Sequence, residues 1–286
     1  MKYSVFTVMT PSWQPEELAQ RLAAAGYDGV EWRVQKALTK APDPIPPRDL
    51  WYWAYNRATL EVDDIEREAA RAAQICRESG LEMLSLASYL TPGEFEKIER
   101  VLQAAKATGT RMIRLFPYSY REGEPYVERF NEARAQMRTV CEMARKYGVE
   151  VNLEIHMDTI IPSASAAYRL VEGLDPDWVG FVYDAGNMTR EGYERYSLGL
   201  QLLGPYVHHV HIKDGCLTRT EKDGQVAYAP EWTVIGQGAV HFEALRDALR
   251  QIGYDRYLSF EDFTCVQSDE EKLTDNLAFI RRLFEN

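Results

Sequence analysis

Residues 206–214, YVHHVHIKD, form a short strand-like run that holds three histidines, a lysine and an aspartate. Side chains alternate between the two faces of a strand, so His209, His211 and Lys213 share one face of this run, while the opposite face is mostly apolar. A helical pattern ends at Gly204, just before the run. The run is therefore the last part of a unit in which a helix stops at a glycine and a buried strand follows.

The same unit recurs along the chain, since seven helical patterns stop at a glycine and a strand-like run follows each within a few residues. Glycine is the usual residue of a left-handed helix C-cap. The seven glycines are Gly26, Gly80, Gly109, Gly148, Gly173, Gly204 and Gly253. They link eight predicted strands, near Tyr3–Val8, Gly29–Arg33, Glu82–Ala87, Met112–Phe116, Glu150–Ile155, Val179–Tyr183, Val207–Ile212 and Tyr257–Phe260.

This strict alternation of strands and helices predicts an α/β protein with a parallel sheet. Eight such units predict a closed (β/α)8 TIM barrel, with residues 1–286 forming a single domain. A doubly wound open sheet is the alternative. Its dinucleotide-binding form needs a G-x-G-x-x-G turn after the first strand, but Thr10-Pro11-Ser12-Trp13 stands there. The barrel is therefore favoured.

Composition and charge narrow the function classes. The 286 residues are 45% hydrophobic and 27% charged, and no apolar run approaches the roughly 20 residues of a membrane helix. The four cysteines form no C-x-x-C pair, which favours a reducing compartment, so we expect a soluble, cytoplasmic protein without a membrane partner. A net charge of -11 repels phosphate backbones, so we expect no nucleic-acid partner. Assembly into a homo-oligomer stays open.

Two connections are longer than the others, and both follow strand ends at which a barrel forms its active site. Residues 35–62 contain four prolines and an aromatic cluster, and a loop of this length in a compact domain is usually functional. We expect it to be a lid over the site. A surface loop that packs its own aromatics, or a subunit contact, is the alternative. Residues 213–240 form the second connection, with glycines that favour turns.

Candidate ligands for a metal ion stand at or near the ends of the last four predicted strands: Glu154, Asp184, His211 and Glu261. The strands of a barrel end at one rim, so these side chains can converge. Three carboxylates and an imidazole form a hard, oxygen-rich donor set. Such a set suits Mn²⁺, our first choice, and also Mg²⁺ or Co²⁺, with Zn²⁺ as a further candidate. For any one of these acids the alternative is a helix cap or a surface charge.

Other residues could contact a substrate held at such a site. His156 and Lys213 each lie two residues beyond a candidate ligand, on the same strand face, so both could reach it. Arg219 and the turn Gly236-Gln237-Gly238 could hold an anion, or they are ordinary loop residues. Two residues of the second strand are weaker candidates, which in the alternative interpretation pair with each other or with neighbours: Glu31 and Arg33.

Five motifs resemble, in their order and spacing, those of the sugar phosphate isomerase/epimerase family of xylose isomerase-like barrels. The resemblance covers nearly the whole chain and is carried by LEIH 153–156, YDAGN 183–187, HVHIKD 209–214, GQG 236–238 and SFE 259–261. It implies that Glu154, Asp184, His211 and Glu261 are the metal ligands, and that Glu154 and Glu261 are also the catalytic acid/base pair. The family often has histidine where Asn187 stands. Asparagine can bind a substrate hydroxyl but cannot shuttle a proton at neutral pH.

By this resemblance the protein would be a metal-dependent ketose epimerase or isomerase acting on a small sugar or polyol. Such an enzyme removes the proton beside a carbonyl, stabilises the enediolate with the metal, and returns a proton to the other face or to the neighbouring carbon. If the substrate instead lost a β-hydroxyl at the same site, the enzyme would be a dehydratase of an inosose or a 3-dehydroshikimate-like substrate. Two other classes are less favoured: a sugar-binding barrel without catalysis, and an abasic-site endonuclease, which would need a basic groove.

Overall fold

Strands and helices alternate along the chain in the computed structural model, which describes residues 1–38 and 40–285. The strands are β1 (Lys2–Phe6), β2 (Gly29–Gln35), β3 (Leu60–Glu61), β4 (Glu82–Ser88), β5 (Met112–Leu115), β6 (Glu150–Glu154), β7 (Val179–Asp184), β8 (Val207–Ile212), β9 (Gly215–Lys222), β10 (Gln225–Trp232) and β11 (Tyr257–Phe260). The helices are α1 (Pro15–Ala25), α2 (Trp51–Ala54), α3 (Ile65–Ser79), α4 (Phe95–Thr108), α5 (Tyr126–Tyr147), α6 (Ala164–Val171), α7 (Ala185–Arg190), α8 (Tyr196–Leu203), α9 (Phe242–Gln251) and α10 (Asp269–Phe284).

The main sheet closes on itself. Its strand order is β1-β11-β8-β7-β6-β5-β4-β2-β3, and β1 also pairs with β2, so that all of these strands except the short β3 form a ring. The ring pairings are parallel, including the two that β1 makes with β11 and with β2. Because the ring is closed and a helix follows each of its strands, the fold is the predicted (β/α)8 barrel and not the doubly wound open sheet.

Five helices end directly at glycines that the sequence marks, while α6 and α9 end two residues before Gly173 and Gly253, with Glu172 and Ile252 as their C-caps. Gly26, Gly80, Gly109 and Gly148 are left-handed C-caps with φ between 68° and 89°, a region that glycine enters without strain. Gly204 caps α8 with φ 50° and ψ -118°, outside the left-handed helical region. A proline follows it and restricts its backbone, and a turn of 3-10 helix leads into β8.

The apolar core lies between the barrel wall and the surrounding helices. On α9, Phe242, Leu245 and Leu249 lie about one turn apart and are at most 2% exposed. Burying each such side chain contributes about 1.5–3 kcal/mol. α10 begins at the capping box formed by Ser268 and Glu271, each accepting a hydrogen bond from the backbone of the other. Sequence periodicity therefore locates the outer layer of the molecule correctly.

Both long connections lie at the C-terminal ends of the strands. Residues 35–62 contain a 3-10 turn, α2 and β3, so they are more ordered than a plain loop. Tyr52 donates a hydrogen bond to a backbone carbonyl at 2.6 Å and Asn56 to another at 3.0 Å, which fastens this segment to the barrel. Residues 213–240 contain the antiparallel hairpin of β9 and β10, where the sequence predicts only turns.

In the described part of the chain, every helix is too short or too polar to cross a membrane.

Candidate metal centre and active site

Four side chains converge at the C-terminal rim of the barrel. Glu154 ends β6, Asp184 ends β7, His211 lies on β8 and Glu261 directly follows β11. Each residue is at most 2% exposed, and each offers one ligand atom within 4.8 Å of those of the other three. The structure therefore brings together the whole set of candidate ligands that the sequence indicates.

His211 Nδ1 lies among the three carboxylates. It is 3.7 Å from Glu154 Oε1, 3.7 Å from Asp184 Oδ2 and 3.9 Å from Glu261 Oε2. Within the described residues this buried nitrogen has no hydrogen-bond partner. Ligand atoms about 2.1 Å from a tetrahedral metal ion lie about 3.4 Å from one another. Small movements of these side chains would thus give a divalent cation three oxygen donors and one nitrogen donor.

Glu31 on β2 fixes the orientation of the His211 ring. Its Oε2 accepts hydrogen bonds from His211 Nε2 at 2.9 Å, His209 Nε2 at 3.1 Å and Ser259 Oγ at 3.1 Å. A proton on Nε2 leaves the lone pair of a neutral imidazole on Nδ1, the atom that faces the carboxylates. Burial alone would raise the pKa of Glu31, but the two histidines outweigh it and hold that pKa well below its usual range.

The electrostatic field at His211 Nδ1 favours positive charge. Burial alone would lower the pKa of His211, but Glu31, Asp184 and Glu154 outweigh it and raise that pKa well above its ordinary value. The carboxylates that attract a proton to Nδ1 attract a metal cation for the same reason. A bound cation would therefore compete with a proton at this nitrogen.

Two cations offset part of the negative charge. Arg114 Nη1 donates to Glu154 Oε2 at 2.5 Å, and Lys213 Nζ lies 2.9 Å from Asp184 Oδ2 and also donates to Glu261. Burial would raise the pKa of Glu154, but Arg114 and His211 together outweigh it, and the pKa falls well below its ordinary value. Burial raises the pKa of Glu261, although Lys213 opposes this. One glutamate is therefore held ionised, while the other binds a proton more readily.

Two residues of this site give little signal in the sequence. Glu31 is only a weak candidate there, and its suggested pairing with Arg33 is not formed, because Arg33 donates instead to Thr59 Oγ1 at 2.5 Å. Arg114 is not identified from the sequence at all, although it is 2% exposed and pairs with a candidate ligand. The available signal is a single charged residue inside a short apolar strand, as in MIRL at 112–115.

Asn187 contacts the Glu154 carboxylate and the backbone of the next residue. Its Nδ2 donates to Glu154 Oε1 at 2.9 Å and to the Ile155 carbonyl at 3.1 Å, and the residue is fully buried. Both amide hydrogens are therefore used within the chain. In this position Asn187 orients a candidate ligand through its Nδ2, while its Oδ1 has no partner among the described residues, and its contact with a substrate hydroxyl stays a prediction.

A cavity of about 260 Å³ opens beside the four candidate ligands. Glu154, Glu261, Lys213 and His156 all contribute to its wall. Five aromatic side chains also line it, and we call them the aromatic lining: Trp53, Tyr89, Phe116, Trp232 and Phe263. This volume lies just below the range of about 300–1,000 Å³ that is usual for small-molecule sites, and the cavity can hold a single small sugar.

His156 presents a hydrogen-bond acceptor to this cavity. Its Nδ1 lies 2.6 Å from the Met157 carbonyl, which can only accept, so Nδ1 carries the proton and Nε2 keeps the lone pair. Burial lowers the pKa of His156 and keeps the ring neutral. Its position agrees with the expectation that it can reach a substrate.

Arg219 and the glycine turn lie away from the cavity wall. Arg219 is exposed on β9, in a hairpin whose second strand is mostly exposed, and it does not line the cavity, so its contact with a substrate stays a prediction. The turn at 236–238 does hold an anion, but the anion is the chain's own Asp214. The N–H groups of Gly236 and Gly238 donate to Asp214 Oδ2 at 3.0 and 2.8 Å. A Cβ on Gly238 would lie 2.2 Å from Asp214 Oδ1, so this close approach requires glycine.

Comparison with known proteins agrees with the fold. The model of the xylose isomerase-like TIM barrel family matches residues 19–283, and the chain belongs to this family. L-ribulose-5-phosphate 3-epimerase UlaE of Escherichia coli is 27% identical over 241 residues, which cover 83% of this chain and 77% of that protein. Inosose dehydratase of Geobacillus thermodenitrificans is 29% identical over 130 residues, a match that spans only 42% of either protein. The crystal structure of 3-keto-D-glucoside 4-epimerase YcjR from E. coli has a TM-score of 0.73 and 17% identity, with 99% of both chains covered, and shares the fold.

Proposed function

We propose that this protein is a divalent-metal-dependent epimerase or isomerase that acts on a ketose or a related cyclic ketone. The observation that carries the proposal is the position of Glu154 and Glu261 around His211 Nδ1, at the wall of a cavity of sugar size. Similarity to a sugar-phosphate epimerase over most of the chain supports it. Hard oxygen donors dominate the site, so we propose Mn²⁺ as the ion, ahead of Mg²⁺, Co²⁺ and Zn²⁺.

The side chains that would hold the cation are the four that converge at the rim: Glu154, Asp184, His211 and Glu261. When bound, the ion supplies Lewis-acid stabilisation of the negative charge that develops at a substrate carbonyl. Glu31 keeps the His211 ring oriented, while Asn187 and Arg114 hold Glu154 from two sides. These positioning contacts come from within the chain, so the donor set is preorganised.

Proton transfer would use the two glutamates, which come from separated parts of the ring. Two strands, β7 and β8, lie between β6, which carries Glu154, and β11, which precedes Glu261. Glu154, held ionised by Arg114, accepts the proton next to the substrate carbonyl. Glu261, whose pKa is raised, returns a proton from the other side of the cavity. Return to the opposite face of the same carbon gives an epimer, and return to the neighbouring carbon gives an isomer.

Dehydration is the second candidate, and Lys213 favours it. The pKa of Lys213 is raised above its ordinary value, because Asp184 and Glu261 outweigh the effect of burial, so the ammonium group stays protonated. It lines the cavity and could donate a proton to a β-hydroxyl as that group leaves. The partial match to inosose dehydratase points the same way.

We propose further that residues 35–62 cover the cavity as a lid on the single barrel domain. Trp53 of α2 is half exposed, lines the cavity, and has its ring centroid 5.0 Å from that of Phe263. The segment is fastened at Tyr52 and Asn56, on either side of this tryptophan.

For the compartment we propose the cytoplasm, because the four cysteines are free thiols.

A hydrogen-exchange experiment tests the proposed reaction. The Mn²⁺-loaded protein is incubated in D₂O with D-psicose, L-ribulose, an inosose and 3-dehydroshikimate, and products are followed by NMR and mass spectrometry. We expect deuterium at the carbon next to the carbonyl of at least one compound, and either a new stereocentre or loss of water shows which reaction follows. If metal binding is measured but no compound exchanges, the proposed function is wrong.

A further inference from the structure

Arg190 is a cation of the cavity wall that the mechanism leaves unused. It is the last residue of α7, and its guanidinium carbon lies 4.7 Å from the centroid of the Trp232 ring. Its Nε is buried and has no hydrogen-bond partner among the described residues. The other two cations of the cavity, Arg114 and Lys213, are each paired with carboxylates. Arg190 thus differs from them in having no acidic partner in the described part of the chain.

The fold holds Arg190 at a fixed position relative to the metal centre. α7 begins at Asp184, whose Oδ1 caps the helix by accepting from the Asn187 N–H at 2.8 Å. A Cβ on Gly186 would lie 2.8 Å from the Lys213 carbonyl carbon and oxygen, so α7 packs directly against the end of β8. Lys213 Nζ lies 4.9 Å from the centroid of the same Trp232 ring that Arg190 contacts. Arg190 and Lys213, which contacts the candidate ligands, therefore both lie next to the Trp232 ring.

We propose that Arg190 binds an anionic group of the substrate, a carboxylate or a phosphate, at the end away from the reacting carbonyl. This inference rests on the proposed function and names the class of substrate: an acidic keto sugar or keto acid. The guanidinium presents a planar fork of N–H donors that matches the oxygens of either anion. The Trp232 ring lies beside the guanidinium and limits the positions that it can take.

Electrostatics favours an anion over a neutral hydroxyl as the partner of Arg190. Arg190 is partly exposed, but its Nε is buried without a partner, and its guanidinium forms no ion pair with a carboxylate of the described residues. A hydroxyl would satisfy one donor but would leave the charge uncompensated. An anionic oxygen pair would satisfy two donors and the charge together.

Calorimetry on the Mn²⁺-loaded protein tests this with two matched ligand pairs. L-ribulose 5-phosphate is compared with L-ribulose, and 3-dehydroshikimate with its methyl ester, so that the pairs separate phosphate from carboxylate. We expect one charged member to bind roughly 10- to 100-fold more tightly than its neutral counterpart. In Arg190→Met this preference should fall close to one, and Arg190→Lys should restore part of it. Arg138→Gln, which changes an exposed arginine on α5, should leave the preference unchanged.

The outcome separates this inference from the proposed function. Equal affinity for both members of both pairs, or a preference that survives in Arg190→Met, overturns the anion site even if proton exchange is observed. Loss of the preference in Arg190→Met alone supports the anion site, because the metal and its ligands are the same in both proteins. Absence of deuterium exchange in the wild type would instead count against the proposed reaction, while the binding ratios still report on Arg190.

Discussion

Both ends of the barrel carry glutamates and histidines, but the two ends differ in how fully these residues are paired with partners from the chain. At the N-terminal end, Glu150 pairs with Arg256 and, at 3.2 Å, with Arg111. There His208 uses both ring nitrogens, one on an asparagine oxygen and one on a backbone carbonyl, each at 2.7 Å. At the C-terminal end, His211 Nδ1 has no partner among the described residues and faces three carboxylates.

This difference separates stability from function within one fold. Acids that are matched by cations, as Glu150 is by Arg256 and Arg111, stabilise the fold, whereas an excess of buried acids costs stability unless a cation binds. Cavity size alone does not identify the reactive end of the barrel. A cavity of about 750 Å³ opens at the N-terminal end near Glu150, while the one at the candidate site has about 260 Å³. The uncompensated charge identifies the reactive end.

The largest effect is expected when an acid of the C-terminal end is neutralised. Glu261→Gln removes one member of the proposed acid/base pair together with a candidate ligand. We expect deuterium exchange with the substrate to slow by about 100- to 10,000-fold. At the other end, Glu150→Gln should leave the exchange rate close to that of the wild type. Equal rates for Glu261→Gln and the wild type would contradict the assignment of the reactive end.

The second prediction concerns Glu31, which contacts the candidate metal ligand His211 but is not one of the four residues proposed to bind the metal. Glu31→Gln removes the carboxylate that orients His211, so we expect Mn²⁺ to bind roughly 10- to 100-fold more weakly. Isothermal titration of the metal-free protein with Mn²⁺ measures this. Glu128→Gln, at an exposed position of α5, is the matched control and should bind the ion as the wild type does. An unchanged affinity in Glu31→Gln would show that the Glu31–His211 contact does not support the metal centre.

The third prediction concerns stability at the N-terminal end. Burial alone would raise the pKa of Glu150, but His208 and Arg256 outweigh it and lower that pKa. A lowered pKa means that Glu150 stabilises the fold at neutral pH and loses this contribution as the pH falls. We expect Glu150→Gln to lower the free energy of unfolding by roughly 1–3 kcal/mol at pH 7. Urea unfolding at pH 7 and at pH 4 should show the deficit shrinking in acid, and a deficit that grows would contradict the ion-pair explanation.

The smallest effect is the pH dependence of metal affinity. The acids around His211 raise its pKa, so a proton occupies Nδ1 up to a higher pH than on an ordinary histidine. Mn²⁺ must displace that proton, and the apparent affinity should therefore fall as the pH is lowered, by at most about tenfold per unit for one proton. Titrations in buffers of different ionisation enthalpy measure the proton released. Binding that releases no proton and is constant from about pH 6 to 8 would exclude Nδ1 as a ligand atom.

The sequence predicts the barrel and the four converging residues because both follow from local pattern and topology. Helix-glycine-strand repeats give the ring, and strand ends in a ring must meet at one rim. Glu31 and Arg114 are harder to identify, since their roles depend on which side chains face each other across the barrel interior. Arg219 is a different case: a loop cation near a strand end suggests either an anion contact or an ordinary loop position, and the hairpin leaves this residue exposed and outside the cavity wall.

Asn187 and the glycine turn at 236–238 show a further limit of sequence reasoning. Each has the chemistry that the sequence suggests, hydrogen bonding for one and anion binding for the other. Their partners, however, are Glu154 and Asp214 of the same chain. Residue type reveals what a group can bind, but only the packed structure shows whether the chain itself already supplies the partner.

Anomalous diffraction from crystals grown with Mn²⁺ tests the central claim most directly. We expect one strong peak at the C-terminal rim, about 2.0–2.3 Å from His211 Nδ1 and from one oxygen each of Glu154, Asp184 and Glu261. No peak at this position, or a peak coordinated by Glu31 and His209 in the barrel interior, would contradict the account.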